Sequence, residues 1–144
     1  MVTVNLICVG GLKEQYLRDA CAEYSKRLSR FCKLNILELN EQTMDKEAQD
    51  ILPRCSGFVT ALCIEGELLS SEQLAALMEK QTLSHSSFTF IIGGSEGLAR
   101  TVKERADYQL SFSKMTFPHQ LMRVILLEQI YRAFTINSNI TYHK

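Results

Sequence analysis

No run of apolar residues in this 144-residue chain approaches the roughly 18–20 that a membrane-spanning helix needs. The N-terminus also lacks a basic stretch leading into a long apolar one, so no secretory leader is expected. No two cysteines form a C-x-x-C pair, and their number is odd: Cys8, Cys21, Cys32, Cys55 and Cys63. This argues against a disulfide framework and against redox or zinc spacings, and predicts free thiols in apolar settings. The three histidines, His85, His119 and His143, are scattered, with no cysteine or carboxylate at ligand spacing, so no metal site is expected. Internal repeats and low-complexity stretches are missing too. These absences predict a cytoplasmic protein without a membrane segment or a metal. The length suits one domain over residues 1–144 with a full core and leaves little room for a second.

Net charge is also missing: 16 basic side chains balance 16 acidic ones. A strongly basic nucleic-acid binder is therefore not indicated by the total. The distribution is uneven, however. Residues 1–33 carry net +3, residues 34–79 net −7, and residues 80–144 net +4. If the two ends meet in the fold they form a positive face, and otherwise the pattern is an ordinary mixed surface.

Apolar patterning divides the chain into alternating strands and helices. Val2 to Val9 reads as a strand ending at Gly10-Gly11. Lys13 to Arg30 has helical spacing, with Tyr16, Leu17, Ala20, Tyr24 and Leu28 on one side. Leu34, Ile36 and Leu39 suggest a second strand, and Asp45 to Leu52 a short polar helix stopped near Pro53. The near-continuous apolar run from Gly57 to Ile64 predicts a central strand. Ser70-Ser71-Glu72-Gln73 offers an N-cap for a helix through Leu83. Strand Phe88–Ile92, helix Glu96–Ala106, strand Tyr108–Phe112 and a long helix from Pro118 to about Ile136 complete the pattern. Alternation of this kind implies a mainly parallel sheet covered on both faces, with ligands beyond the carboxyl ends of its strands. His85, in a loop of Ser and Thr, is expected in solvent.

The last helix has no wet face. Leu121, Met122, Val124, Ile125, Leu126, Leu127, Ile130, Tyr131, Ala133 and Phe134 surround it. A helix apolar all round is buried on all sides. In a domain this small, that predicts packing on its own sheet and against a second copy, hence a homodimer built on this helix.

Chemistry-bearing residues cluster in the last third. Ile92-Gly93-Gly94-Ser95-Glu96-Gly97 matches neither the dinucleotide fingerprint nor the P-loop. It is a strand running into a tight turn. Glycine there lets a ligand reach the backbone, but a plain sharp strand-to-helix turn, with Glu96 at the helix start, satisfies the same pattern. Phe112-Ser113-Lys114-Met115-Thr116-Phe117 supplies hydroxyls and amides for a nucleoside edge, and Phe and Met surfaces for a flat ring or thioether. A core-lining loop is the other reading. His119 and Arg123 share one edge at the start of the last helix. Tyr142-His143-Lys144 places a phenol, an imidazole and an ammonium in a tail, which is costly to hold still unless it is tied down.

Together these segments resemble the RlmH-type SPOUT methyltransferases. The resemblance runs from Gly11-Leu12-Lys13-Glu14-Gln15-Tyr16 to Tyr142-His143-Lys144 and covers nearly the whole chain. Its most specific stretch is Leu110 through Phe134, including Glu128-Gln129-Ile130-Tyr131-Arg132-Ala133-Phe134. The chain departs from many relatives in being shorter between Asn40 and Gly57. It also departs in reading Asn137-Ser138-Asn139-Ile140-Thr141 before the tail. The resemblance implies a single-domain α/β parallel-sheet SPOUT fold with a C-terminal trefoil knot. It implies a homodimer whose active sites are completed across the subunits. The implied reaction is transfer of a methyl group from S-adenosylmethionine to N3 of a pseudouridine in helix 69 of 23S rRNA, with the assembled ribosome as substrate.

Carried onto this chain, the cofactor contacts implied are Leu62, Gly93 and Phe112, Ser113, Lys114, Met115, Thr116 and Phe117. For the chemistry, His143 is the expected base, because a free imidazole titrates near neutrality. Arg123 is an expected oxyanion stabiliser and Tyr142 a stacking platform for the target base, with Arg132 and Lys144 meeting RNA. Two other readings stay open: the same enzyme class with a different RNA target, and a non-catalytic ribosome-binding module.

Overall fold

The computed structural model describes residues 1–144. Five strands form one sheet: β1 (Val2–Val9), β2 (Cys32–Leu39), β3 (Phe58–Leu68), β4 (Ser87–Ile92) and β5 (Tyr108–Ser111). Their order is β2-β1-β4-β3-β5, and every pairing is parallel. Between them run α1 (Gln15–Leu28), α2 (Met44–Ile51), α3 (Ser71–Gln81) and α4 (Arg100–Arg105), and α5 (His119–Asn137) follows β5. A 3₁₀ turn containing Pro53 follows α2.

Strand alternation divides the core into two layers. Val4, Leu6 and Cys8 of β1, with Phe88, Phe90 and Ile92 of β4, point to the face covered by α1, α3 and α5. Ile7, Val9 and Ile91 point to the opposite face, where Ala48 and Ile51 of α2 and Val102 of α4 close over them. In α5, Leu126, Leu127 and Ile130 are fully buried between α1 and α3, each contributing about 2 kcal/mol by its removal from water. The helix is not closed on every side within one protomer: Leu121 is 40% exposed, and Val124 and Ile125 are half-buried.

Local chemistry sets the boundaries. α3 has a complete capping box, in which the Ser70 hydroxyl accepts from Gln73 N and the Gln73 side chain accepts from Ser70 N. In α2 the Thr43 hydroxyl accepts from Lys46 N, without the reciprocal bond. β3 is interior, as its apolar run predicts, although β4 is the middle strand. It also overruns the expected end at Ile64: after a register shift between Leu62 and Glu67, the arm to Leu68 pairs again with β5.

The helix expected from Glu96 begins only at Arg100. Gly97 has φ +85°, which no right-handed helix accommodates, and Gly94 bridges back to Gly97 in a short antiparallel contact. Glu96 therefore sits in a turn and not at a helix start. His85 is not in open solvent: its ring stands edge-on to Phe58, centroids 5.7 Å apart, and it is half-buried. All five cysteines are free. Cys8, Cys21 and Cys32 are buried, and Cys55 and Cys63 half-buried.

Candidate active site

The carboxyl ends of β3, β4 and β5 lie side by side, so the segments that leave them converge. Between them is a cavity of about 640 Å³, within the usual range for a small-molecule site. The turn after β4 forms one wall, with Gly93, Gly94, Ser95 and Gly97. A Cβ on Gly93 would lie 2.6 Å from the Gly97 carbonyl oxygen, so this close backbone packing requires glycine. The segment after β5 forms the facing wall. Ser111 Oγ donates to Ser113 O at 3.0 Å, and Met115 N donates to Ser113 Oγ at 2.9 Å, fixing a hydroxyl-braced turn. Leu62, Phe112 and Phe117 make the lining largely apolar, and Met115 stands 74% exposed at its lip.

Of the cofactor residues expected from sequence, Leu62, Gly93, Phe112, Ser113, Met115, Thr116 and Phe117 all line this cavity. Lys114 does not; it is exposed and outside the wall. Several wall residues escaped the sequence reading. Ile64 ends the expected strand and Lys103 comes from α4, whereas Glu65, with Gly66, was expected at a ligand-facing strand end and lies within β3. Lys103 pairs with Glu65, and the hydrogen bond it donates holds that carboxyl below the usual range. His119 and Met122 of α5 complete the wall, with His119 Nε2 3.6 Å from Glu41 Oε1.

Arg123 is one turn from His119 but is placed differently. Its side chain is 5% exposed, paired with Glu38, and Nη2 donates to Gly10 O at 3.0 Å. It does not line the cavity, and its Nε has no partner. Arg123 thus ties the start of α5 to the ends of β1 and β2, a task for a buried charge. In this chain Arg123, expected to stabilise an oxyanion, is engaged by Glu38 and Gly10 and does not line the cavity.

The tail forms a second cluster at the far part of α5. Tyr142 Oη donates to Glu128 Oε2 at 2.7 Å, its ring stands edge-on to Tyr131 at 4.9 Å, and the Arg132 guanidinium lies 4.8 Å from its centre. Burial, and then the bond to Glu128, pushes the Tyr142 phenol up to about 12. Arg132 grips Glu128 with Nε and Nη2 at 3.2 and 2.9 Å. His143 sits between Arg132 Nη1, 3.0 Å from Nδ1, and the Glu72 carboxylate at Nε2. The bond with His143 lowers the Glu72 carboxyl. An arginine only donates, so Nδ1 is the accepting nitrogen, and Nε2 carries the proton toward Glu72. The structure brings Tyr142, His143 and Arg132 together, while Lys144 is exposed beyond them. Glu72 and Glu128, which hold this cluster, were not foreseen. The i,i+4 spacing of Glu128 and Arg132 was a visible clue.

The two clusters are separate within one chain. No residue of the tail cluster lines the cavity, although on α5 the cavity's Met122 and the cluster's Glu128 are six residues apart, roughly 9 Å along the helix axis.

A parallel α/β sheet with a cavity built from two backbone turns beyond its strand ends defines an enzyme of small-molecule cofactor type. The chain belongs to the SPOUT methyltransferase family: the family model described as "Predicted SPOUT methyltransferase" matches residues 2–143. Ribosomal RNA large subunit methyltransferase H of Bifidobacterium animalis subsp. lactis (strain AD011) is 53% identical over 159 aligned positions, covering 99% of this chain and 100% of that protein. The protein of the same name from Clostridium novyi (strain NT) shows the same identity and coverage. Among solved structures, a probable methyltransferase from Bordetella pertussis Tohama I superimposes with a TM-score of 0.60 at 10% identity, covering 92% of this chain and 95% of that one. A probable methylase family protein from Haemophilus influenzae Rd KW20 gives 0.58 at 12% identity, over 98% and 70%. These two likenesses concern the fold. No helix is long and apolar enough to cross a membrane.

Proposed function

We propose that this methyltransferase uses S-adenosylmethionine to methylate large-subunit ribosomal RNA, at N3 of a pseudouridine in helix 69, on the assembled ribosome in the cytoplasm. The observation that carries the reading is the cavity framed by the Gly93 turn and the Phe112–Phe117 segment, in a chain about half identical to relatives named for ribosomal RNA methylation. The cavity fits the cofactor. Apolar walls suit an adenine ring and a thioether, the serine and threonine hydroxyls suit ribose and ring edges, and Gly93 and Gly94 present backbone in the wall. Leu62, Gly93, Phe112, Ser113, Met115, Thr116 and Phe117 hold it there.

Bound there, S-adenosylmethionine supplies an electrophilic methyl group. The chain must then align the target nitrogen and remove its imide proton. His143 is the base, with Glu72 fixing its ring and Nδ1 as the accepting atom. Arg132 caps that lone pair at rest. When an RNA phosphate draws Arg132 away, Nδ1 becomes free to take the proton. Tyr142 keeps its proton throughout the neutral range and orients the tail through Glu128. Lys144 meets phosphate.

The tail, none of whose residues lines its own cavity, serves the cavity of a second subunit. The half-buried stripe of Leu121, Val124 and Ile125 on α5 is the surface through which the homodimer forms. The knotted path of the C-terminal segment, in a one-domain protein, belongs to the same proposal. In support, α5 leaves the β5 edge and returns between α1 and α3.

Calorimetry with S-adenosylmethionine, followed by methyl transfer to ribosomes and to protein-free RNA, tests the reading. Micromolar binding with transfer only to ribosomes is the expected result. Cofactor binding with transfer to unfolded RNA alone would remove the ribosome from it, and absence of cofactor binding would overturn it.

A further inference from the structure

From Tyr24 to Leu37 the chain carries four cations, Lys26, Arg27, Arg30 and Lys33, and no acid, although the chain as a whole is neutral. The fold sets this segment, the end of α1 and the start of β2, beside the tail cluster. Aromatic rings join the two. Tyr24 lies 6.5 Å from Tyr131, and Tyr131 lies 4.9 Å from Tyr142. Phe31 lies 6.0 Å from Tyr131 and stacks on Phe134 at 5.6 Å, with planes 6° apart. Guanidinium groups sit on these rings: Arg27 over Tyr24 at 5.1 Å, Arg30 over Phe31 at 5.1 Å, and Arg132 over Tyr142 at 4.8 Å.

An arginine laid on a ring has its plane fixed and its N–H edges turned outward, prepared for a bidentate partner. Arg27 gives one bond to Glu23 at 2.8 Å, whereas Arg30, Lys26 and Lys33 are exposed and pair with no carboxylate. Carboxylates elsewhere on this surface, Glu23, Glu72 and Glu128, are already engaged by Arg27, His143 and Arg132.

We propose that the Lys26–Arg30 end of α1, continuous with the tail through the ring series, is a docking surface for the phosphodiester backbone of folded RNA; Lys33, next to the inward Cys32 on β2, faces the other side of the sheet. The proposal rests on the ribosomal RNA reading above and extends it to residues outside the cavity and the tail. Cations on a phosphate track hold and orient without reading sequence. That suits a neutral protein with little surface for base recognition. The positive charge is concentrated in this stretch, and it lies next to the His143 base. RNA docked on it is therefore delivered to whichever cavity the tail serves. A second copy of the chain fits less well, because the three like charges Lys26, Arg27 and Arg30 would face their own symmetry mates.

The test compares wild type with Lys26→Gln/Arg30→Gln and with a control, Lys46→Gln/Arg54→Gln, on the opposite face of the sheet. Initial-rate kinetics on ribosomes, S-adenosylmethionine calorimetry and sedimentation are measured for each. The patch variant is expected to raise KM for ribosomes at least tenfold and to flatten the salt dependence of ribosome binding by about 0.7 for each phosphate no longer neutralised. Its cofactor affinity and sedimentation should match wild type, and the control should leave KM unchanged. An unchanged KM in the patch variant, with wild type active on ribosomes, overturns the docking surface alone. A changed sedimentation coefficient makes the surface a subunit contact and overturns it as well. A wild-type protein that binds cofactor but neither binds nor methylates ribosomes removes the underlying reading, and the docking surface with it.

Discussion

The two ends of α5 solve different problems with different materials. At its start, His119 and Met122 look into a cavity made mostly of backbone turns and apolar side chains, with the Lys103–Glu65 ion pair on its wall. Thirteen residues on, Arg132 is the hub of a network of charges and rings that includes Glu128, Glu72, Tyr142 and His143. The first end is shaped to hold a ligand. The second holds the His143 imidazole between an arginine and a carboxylate. The proposed mechanism needs both ends, and a second subunit supplies the tail because no tail-cluster residue lines its own chain's cavity.

That contrast is broken most severely at the cavity. Gly93→Val would force a side chain into the Gly97 backbone, where even a Cβ comes within 2.6 Å. We expect S-adenosylmethionine affinity to fall by at least about 100-fold, roughly 2.7 kcal/mol. The tail contacts should persist, shown by an unchanged fold in circular dichroism. Calorimetry reporting wild-type affinity would mean that the cofactor lies elsewhere.

Arg123 separates support from chemistry. Arg123→Met removes the tie from α5 to Glu38 and Gly10, which we expect to cost roughly 1–3 kcal/mol of stability, read by urea denaturation. Glu38 is half exposed and can rehydrate, which keeps the loss below that of breaking a fully buried pair. Methyl transfer below the unfolding transition should fall less than about tenfold, because the side chain removed does not line the cavity. A loss of about 1000-fold in a folded protein would restore Arg123 to the catalytic set.

The smallest effect concerns Tyr142. Its folded-state pKa of about 12 exceeds the ordinary value near 10, so the native state holds this proton more tightly. Its contribution is fully present below pH 10 and is lost as pH rises through about 12. Tyr142→Phe should lose about 1 kcal/mol at neutral pH and show a shallower decline in stability between about pH 10 and 12. Tyr108, also pushed up to about 12 by burial and its bond to Glu67, keeps part of the slope. An identical decline in the variant would show that the Tyr142–Glu128 bond does not persist in solution.

The two ends also differ in how far the sequence reveals them. Strand-end turns are local objects, so Gly93 and the Phe112–Phe117 segment could be located from small-residue and hydroxyl patterns, and the strands beneath them from apolar runs. Where that reading failed, a local detail outweighed periodicity. The positive φ at Gly97 delayed α4 to Arg100, and the polar arm of β3 continued to Leu68 because β5 offered it a partner. The tail is a long-range object. His143 meets Glu72 across 71 positions, and Arg123 meets Glu38 across 85. No spacing rule reaches that far, so the residues could be named but not their partners. Burial of Arg123 was equally hidden, because an arginine one turn from a cavity residue looks the same in sequence whether it faces ligand or core.

Mixing subunits tests the composite site most directly. Gly93→Val supplies a sound tail and a defective cavity, and His143→Ala the reverse. Each alone should be nearly inactive in methyl transfer to ribosomes. Co-refolded in equal amounts, half of the dimers are mixed and each mixed dimer holds one complete site. The mixture should therefore recover about a quarter of wild-type activity, by simple combination of equal populations. A mixture as inactive as its parents, with mixed dimers demonstrated by mass spectrometry, would place cavity and base in the same chain and contradict the account.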